Sequence, residues 1–185
     1  MNRRSLVCTL TLLLLAPAYA SAQESLKAAP FLQKLDVFSG TFEGTAILPK
    51  QTVESGRLGE LQGKKVTIIE TSRWAPGKCA QIADYSFSID GSETILGTTV
   101  YGWDETKKTI TFTEYTTHKG VWSGTVSADG DKWTFAYEGY DLDGRKHTGK
   151  RVVTFTDNDH YTMRQTDRAI NGHPEPDIKW QFKRL

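Results

Sequence analysis

The fold is decided by residues 109–140, which read TITFTEYTTHKGVWSGTVSADGDKWTFAYEGY. Residues 109–118, 121–127 and 132–140 alternate apolar with polar side chains, which is typical of strands that bury one face. Lys119-Gly120 and Asp129-Gly130-Asp131 separate them with residues that favour tight turns. Three short strands joined by such short turns predict neighbouring antiparallel strands.

The same spacing extends to both sides, with roughly one strand and one turn every dozen residues. We predict an all-β protein, an antiparallel up-and-down β-barrel of eight to ten strands. Residues 25–35 should form a short helical plug before it, although Pro30 interrupts the apolar face. The longest connection, 49–63, is predicted to be a mobile lid. The predicted strands are 37–48, 65–74, 79–89, 95–103, 109–118, 121–127, 132–140, 145–156, 160–169 and 178–184.

The first 22 residues are typical of a signal peptide. The pair Arg3-Arg4 precedes an apolar stretch, and the small residues Ala20-Ser21-Ala22 form a cleavage site. The apolar stretch, residues 6–16, is too short to span a membrane, although an uncleaved anchor is the alternative. We therefore expect a periplasmic or secreted protein whose single mature domain covers 23–185.

Charge and cysteine content narrow the range of partners. The chain has 23 basic and 22 acidic residues, and removing the two signal-peptide arginines leaves 21 against 22. A near-neutral domain without basic runs predicts neither a nucleic-acid partner nor a membrane partner after cleavage. Cys79 is the only cysteine after residue 22, so no internal disulfide can form, and we interpret it as a small apolar strand residue.

Aromatic side chains recur in phase along the predicted strands, as in Trp133, Phe135 and Phe155. Such a face is either a packed core or the lining of a ligand cavity, and both interpretations stay open. If the barrel is hollow, we expect the partner to be a small hydrophobic or amphipathic molecule. The predicted ligand-binding residues are Glu70, Tyr85, Phe87, Tyr101, Trp103, Phe112, Glu114, Trp133, Phe135, Arg151, Phe155 and Gln165.

Four polar members of this set would orient a polar end of the ligand: Glu70, Glu114, Arg151 and Gln165. An unpaired buried charge costs several kcal/mol, so these groups should pair with one another or face water in a cavity. The alternative is a purely structural ion pair, such as Glu114 with Arg151. A register slip of one residue would move each of them to the outer face.

Signatures of catalysis are missing from the sequence. It has no G-x-S-x-G elbow, no H-E-x-x-H and no P-loop, so we predict no enzymatic activity. We interpret His118, His147, His160 and His173 as solvated residues, and no metal site or cofactor is predicted. Haem bound through one axial histidine is the alternative, with His160 and His173 as the better candidates.

A family resemblance begins at the first strand. Residues 35–44, LDVFSGTFEG, resemble the opening of lipocalin-like bacterial proteins of unknown function. Gly102-Trp103-Asp104 is similar to a hairpin of these proteins, and Arg151-Val152-Val153-Thr154 and Tyr161 match in order and spacing. The resemblance implies the calycin group, which includes lipocalins, fatty-acid-binding proteins and haem-binding nitrobindin-like barrels.

The resemblance also implies how the barrel base is closed. Phe42 stands where these families carry a tryptophan that packs against a basic side chain of a late strand. Phe42 with Lys183 or Arg184 would make a reduced version of this cation–π contact.

The sequence therefore predicts an exported barrel that binds a partly apolar small molecule without catalysis. Besides the haem protein, a filled barrel acting as a structural or interaction module is the alternative. It would use aromatic side chains such as Tyr115 and Trp122, which we expect on the outer face.

Overall fold

A computed structural model describes residues 30–50, 62–117 and 120–185. The predicted signal peptide, the start of the predicted plug and residues 51–61 of the predicted lid lie outside the described residues. The strands are β1 (Gly40–Ile47), β2 (Lys65–Trp74), β3 (Gln81–Ile89), β4 (Ser92–Asp104), β5 (Thr109–Thr116), β6 (Gly120–Asp129), β7 (Lys132–Tyr140), β8 (Lys146–Phe155), β9 (His160–Ile170), β10 (His173–Pro174) and β11 (Ile178–Arg184).

The sheet closes into a ten-stranded antiparallel barrel, as predicted. Each strand from β1 to β9 pairs with the next along the chain, β9 also pairs with β11, and β11 returns to β1. The closing seam sets Phe42 opposite Arg184 and Gly44 opposite Phe182. The two-residue β10 pairs only with the end of β9. Closure removes the unpaired edges that an open sheet would present.

Two hairpin turns owe their shape to residues that tolerate positive φ. Asp90 and Gly91, between β3 and β4, have φ of 49° and 84°. Asn171 and Gly172, after β9, have φ of 50° and 83°. Two consecutive positive φ angles match the right-handed twist of the flanking strands, so these pairs form tight hairpins.

The described part of the plug contains a 3₁₀ helix over Leu32–Phe38, which ends three residues after the predicted end at Leu35. Leu32 and Leu35 are 1 % exposed. The ring of Phe38 lies 5.2 Å from those of Trp133 and Phe155, centroid to centroid. Apolar burial on one side therefore holds this helix in the end of the barrel, which is why β1 begins only at Gly40.

The base of the barrel is closed by Arg184, one of the two predicted partners of Phe42. Its guanidinium carbon lies 4.3 Å from the centroid of the Phe42 ring. Arg184 also donates hydrogen bonds to the carbonyl oxygens of Ser39 and Asn158. Lys183 points to the outer face, where its Nζ lies 3.6 Å from Glu43. Alternation along β11 places Arg184, and not Lys183, on the inner face.

Two predictions about individual residues are wrong. Trp122 lies inside the barrel and is 8 % exposed, because it pairs with the inward-facing Glu114. Tyr115, its predicted companion on the outer face, is 53 % exposed. Cys79 is not a buried strand residue: it is exposed and follows the 3₁₀ turn Pro76–Lys78, so that β3 begins at Gln81.

Candidate ligand-binding site

The barrel encloses a cavity of about 180 Å³. Its lining is mainly aromatic and aliphatic, with polar side chains concentrated on β2, β3, β5, β8 and β9. The predicted residues that line it are Glu70, Tyr85, Phe87, Tyr101, Glu114, Phe135, Arg151 and Gln165.

The other predicted residues lie elsewhere: Trp103, Phe112, Trp133 and Phe155. Trp133 and Phe155 pack around Phe38, so the plug occupies the space that they would otherwise line. Phe112 packs between Tyr101 and Phe135, at centroid distances of 5.9 Å and 6.3 Å.

Trp103 is turned away from the cavity by two contacts. It stacks on Phe31 at 4.8 Å and donates its indole N–H to Glu105 at 2.7 Å. Eight of the twelve predicted residues therefore line the cavity, and the sequence pattern did not show how far the plug fills the end of the barrel.

A polar network crosses the middle of the cavity. Glu114 Oε2 lies 2.7 Å from Arg151 Nη1, which is the ion pair that the sequence offered as a structural alternative. Tyr85 donates its hydroxyl to Glu114 Oε1 at 2.8 Å. The guanidinium of Arg151 lies 5.2 Å from the centroid of the Tyr137 ring. The strands β3, β5 and β8 are not neighbours, so these side chains meet across the interior.

Glycines make room for this network. A Cβ atom on Gly97 would lie 2.2 Å from Cζ of Tyr85, so only glycine lets that ring lie against β4. Likewise a Cβ on Gly149 would lie 2.4 Å from the hydroxyl oxygen of Tyr137. The absence of a side chain at these positions sets the directions from which two tyrosines reach the centre.

Glu70 is the second acidic residue of the network, and its surroundings differ from those of Glu114. Within the described part of the chain, its carboxyl has no hydrogen bond and no ion pair. Burial raises the pKa of Glu70 to about 7, which the positive charge of Arg151 only partly opposes and the negative charge of Glu114 increases. A carboxyl group that titrates near neutrality inside a cavity is a candidate for direct contact with a ligand.

The neighbouring phenols do not titrate in the same range. Burial is the first cause that raises the pKa of both Tyr85 and Tyr101 well above the ordinary value. Both hydroxyl groups therefore stay neutral and serve as hydrogen-bond donors and acceptors.

Arg168 is a cavity residue that sequence alternation missed. Pairing between β8 and β9 shifts from Thr148 opposite Ala169 to Lys150 opposite Thr166, which is a β-bulge. Asp167 has a φ of 51° within it. The extra residue shifts the inward–outward alternation of β9 by one position. Gln165 and Arg168 therefore both line the cavity, although they are an odd number of residues apart.

His147, Asp141 and Arg145 form a second polar cluster. Our prediction that His147 is solvated is wrong. His147 is 8 % exposed, lines the cavity and lies 5.1 Å from the ring of Trp122. Its Nε2 is 3.0 Å from Asp141 Oδ2, which also accepts the Arg145 Nε–H at 2.7 Å. Burial opposes ionisation of Asp141, but these hydrogen bonds outweigh it and lower the pKa to about 2.

His160 and His173 do not line the cavity. His160 is exposed and its Nδ1 lies 3.0 Å from Asp157, and His173 is exposed on β10. His118 lies outside the described residues. No group of three or more potential metal ligands occurs within residues 30–50, 62–117 and 120–185. In the same ranges, no helix has the length and apolar character needed to cross a bilayer.

These observations define the class of the protein: a closed antiparallel β-barrel with a small internal cavity and a buried polar network. A family model described as "Protein of unknown function (DUF1579)" matches residues 52–184. The chain therefore belongs to the DUF1579 family. No curated protein matches the chain.

Solved structures support the fold. The crystal structure of Rv2717c from M. tuberculosis matches with a TM-score of 0.60 at 15 % identity, over 86 % of this chain and 99 % of that one. A redesigned β-barrel, b11L5F_LGL, matches with a TM-score of 0.36 at 10 % identity, over 85 % of this chain and 99 % of that one. The first likeness shows the barrel fold, and the second is too low to carry an argument.

Proposed function

We propose that this protein is an exported, non-enzymatic binding protein for a small, partly apolar molecule. The observation that carries the proposal is the cavity itself, where a buried polar network stands among aromatic walls. Interiors that serve only for packing are filled, whereas ligand sites combine apolar lining with a few convergent polar groups.

The cavity volume limits the size of the ligand. About 180 Å³ falls below the roughly 300–1,000 Å³ of pockets for drug-sized ligands. An apolar cavity of about 150 Å³ is enough for benzene. The proposed ligand is therefore of the size of a single ring with a short arm, smaller than a fatty acid.

Each part of the lining has a role in the proposal. Phe87, Tyr101 and Phe135 would supply contact area, while Glu70 and Gln165 would contact the polar end. The ion pair between Glu114 and Arg151 would hold Tyr85 in place before the ligand arrives, which lowers the entropic cost of binding. Membership of the calycin group and export through the predicted signal peptide belong to the same proposal.

Haem binding is less well supported by the described residues. A porphyrin is far larger than one ring with a short arm. His147 is the histidine that lines the cavity, and it is held by Asp141 and packed on Trp122. An axial ligand needs a ring nitrogen directed at the iron above an open space of macrocycle size.

Native mass spectrometry of protein purified without harsh washing from a periplasmic preparation tests the proposal. We expect a discrete added mass that disappears in Ile68→Trp, because Ile68 lines the cavity. The matched control is Ile69→Trp, whose position faces outward beside Glu43 and should keep the added mass. A bare chain mass that persists after addition of small aromatic compounds would contradict a binding function.

A further inference from the structure

Resting on the proposed function, we infer that the ligand is a monocation that carries a basic nitrogen, and that this nitrogen pairs with Glu70. Three charged side chains interact in the central network: Glu70, Glu114 and Arg151. Arg151 already pairs with Glu114 at 2.7 Å, so these two cancel. Once Glu70 is ionised, the network carries one negative charge that a ligand cation would neutralise.

An anionic ligand fits this centre poorly. It would have to reach Arg151, whose Nη1 is bound to Glu114, and it would then lie against two carboxylates. The second guanidinium of the cavity, Arg168, donates to the carbonyl oxygen of Pro176, and the buried Glu175 lines the same cavity. Both guanidinium groups of the cavity therefore already have partners within the protein.

The walls beside Glu70 suit the apolar part of such an amine. Ile68 lies one inward step before Glu70 on β2 and pairs with Phe87, just as Glu70 pairs with Tyr85. The rings of Phe87 and Trp180 lie 6.0 Å apart, centroid to centroid. Aromatic faces attract cations and also cover apolar surface, so an aryl or alkyl amine meets both requirements in one place.

The indole N–H of Trp180 favours a ligand that also carries a hydrogen-bond acceptor. Trp180 is 4 % exposed and lines the cavity, and its Nε1 has no hydrogen-bond partner among the described residues. A buried donor of this kind is stabilised by an acceptor atom. A natural ligand that carries an oxygen at the end opposite its amine would satisfy it.

The pH dependence of binding follows from the groups that face Glu70. These groups are Tyr85 on β3, Tyr101 on β4, Glu114 on β5, Arg151 on β8 and Tyr161 on β9. Burial keeps the three phenols neutral because it raises the pKa of each one. With the pKa of Glu70 near 7, the fraction of ionised Glu70, and with it the affinity for a cation, falls about tenfold between pH 8 and pH 6.

Isothermal titration with three probes of matched shape tests the inference: benzylamine, benzyl alcohol and benzoate. We expect benzylamine to bind at least tenfold more tightly than the other two at pH 8. Its affinity should fall about tenfold at pH 6, whereas the affinity for benzyl alcohol, which has no charge to pair with Glu70, should change far less.

Two variants separate direct pairing from a general charge effect. Glu70→Gln should reduce benzylamine affinity at least tenfold and change benzyl alcohol affinity far less, because glutamine keeps the shape and a polar end but removes the charge. Glu43→Gln is the matched control, since Glu43 lies on the outer face and pairs with Lys183. Equal melting temperatures would show that the Glu70 variant is folded.

The failure of this inference can be told apart from failure of the proposed function. If benzoate or benzyl alcohol binds as tightly as benzylamine, and Ile68→Trp abolishes that binding, the barrel binds small molecules but the ligand is not defined by a cation. If none of the probes binds and no added mass is found, both are overturned. Benzylamine binding that survives in Glu70→Gln overturns the assignment of Glu70.

Discussion

Removing the positive charge of Arg151 while keeping its bulk should destabilise the barrel in a pH-dependent way. In Arg151→Met, Glu114 would lose its partner at 2.7 Å while its side chain remains only 7 % exposed. Breaking a buried pair by removing one partner costs about 3–5 kcal/mol.

The cost of protonating Glu114 gives a similar loss of unfolding free energy. The Glu114 carboxyl can take up a proton, and for a glutamate with an ordinary pKa of 4.5 this costs about 3.4 kcal/mol at pH 7 and about 0.7 kcal/mol at pH 5. We therefore expect the free energy of unfolding to fall by about 3–4 kcal/mol at pH 7 and by clearly less at pH 5.

Chemical denaturation at the two pH values measures this difference. The double variant Arg151→Met with Glu114→Gln should recover most of the loss, because no charge is then left unpaired. Arg73→Met is the control: Arg73 pairs with Asp84 at 3.2 Å with both side chains about half exposed, so it should cost less than about 1 kcal/mol. A loss below about 1 kcal/mol at pH 7, or no recovery in the double variant, would refute the reasoning.

Three further changes have expected outcomes in the same assay. Gly97→Ala should cost about 1–3 kcal/mol, because its Cβ would lie 2.2 Å from the Tyr85 ring. For Glu70, burial raises the folded pKa to about 7 above the ordinary 4.5, so the neutral form is favoured in the folded state. The wild type should lose on the order of 3 kcal/mol, relative to Glu70→Gln, as the pH rises from about 4.5 to about 7. Arg184→Gln should cost about 2 kcal/mol, because it removes the cation–π contact with Phe42 and charged hydrogen bonds at the base.

Controls for these changes come from neighbouring positions. Gly102 is on the same strand as Gly97, and a Cβ there would meet no atom within 4 Å, so Gly102→Ala should be nearly neutral. Lys183→Gln should cost less than about 1 kcal/mol, since its pair with Glu43 is on the outer face. Equal losses of unfolding free energy at Gly97 and Gly102 would contradict the explanation by the Tyr85 ring, and equal losses at Arg184 and Lys183 would contradict the role of Arg184 at the base. For Glu70, curves of unfolding free energy against pH that run parallel in wild type and Glu70→Gln would contradict the raised pKa.

Strand positions could be predicted because the apolar–polar alternation and the turn residues agree along this chain. Alternation and turn residues placed β2, β7 and β11 at the bounds that the structure shows. The ion pair of Glu114 with Arg151 was also within reach, since both residues fall on inward phases and buried charges need partners.

The parts of the site that the sequence did not predict depend on non-local geometry. The bulge at Asp167 reverses the phase of β9, and nothing in strict alternation signals it. His147 was misread because its burial depends on Trp122 and Asp141 from other elements. The plug position, with Phe38 rather than an earlier residue in the barrel end, decides which aromatics face the cavity.

The seam between β1 and β11 has a consequence for the order in which the barrel can form. Phe42 pairs with Arg184, and the amide of Leu185 donates to the carbonyl oxygen of Thr41 at 2.9 Å. The free edge of β1 therefore stays unpaired until residues 178–185 have been synthesised. A chain that lacks these residues would leave the edges of β1 and β9 open, which favours pairing between molecules over closure within one.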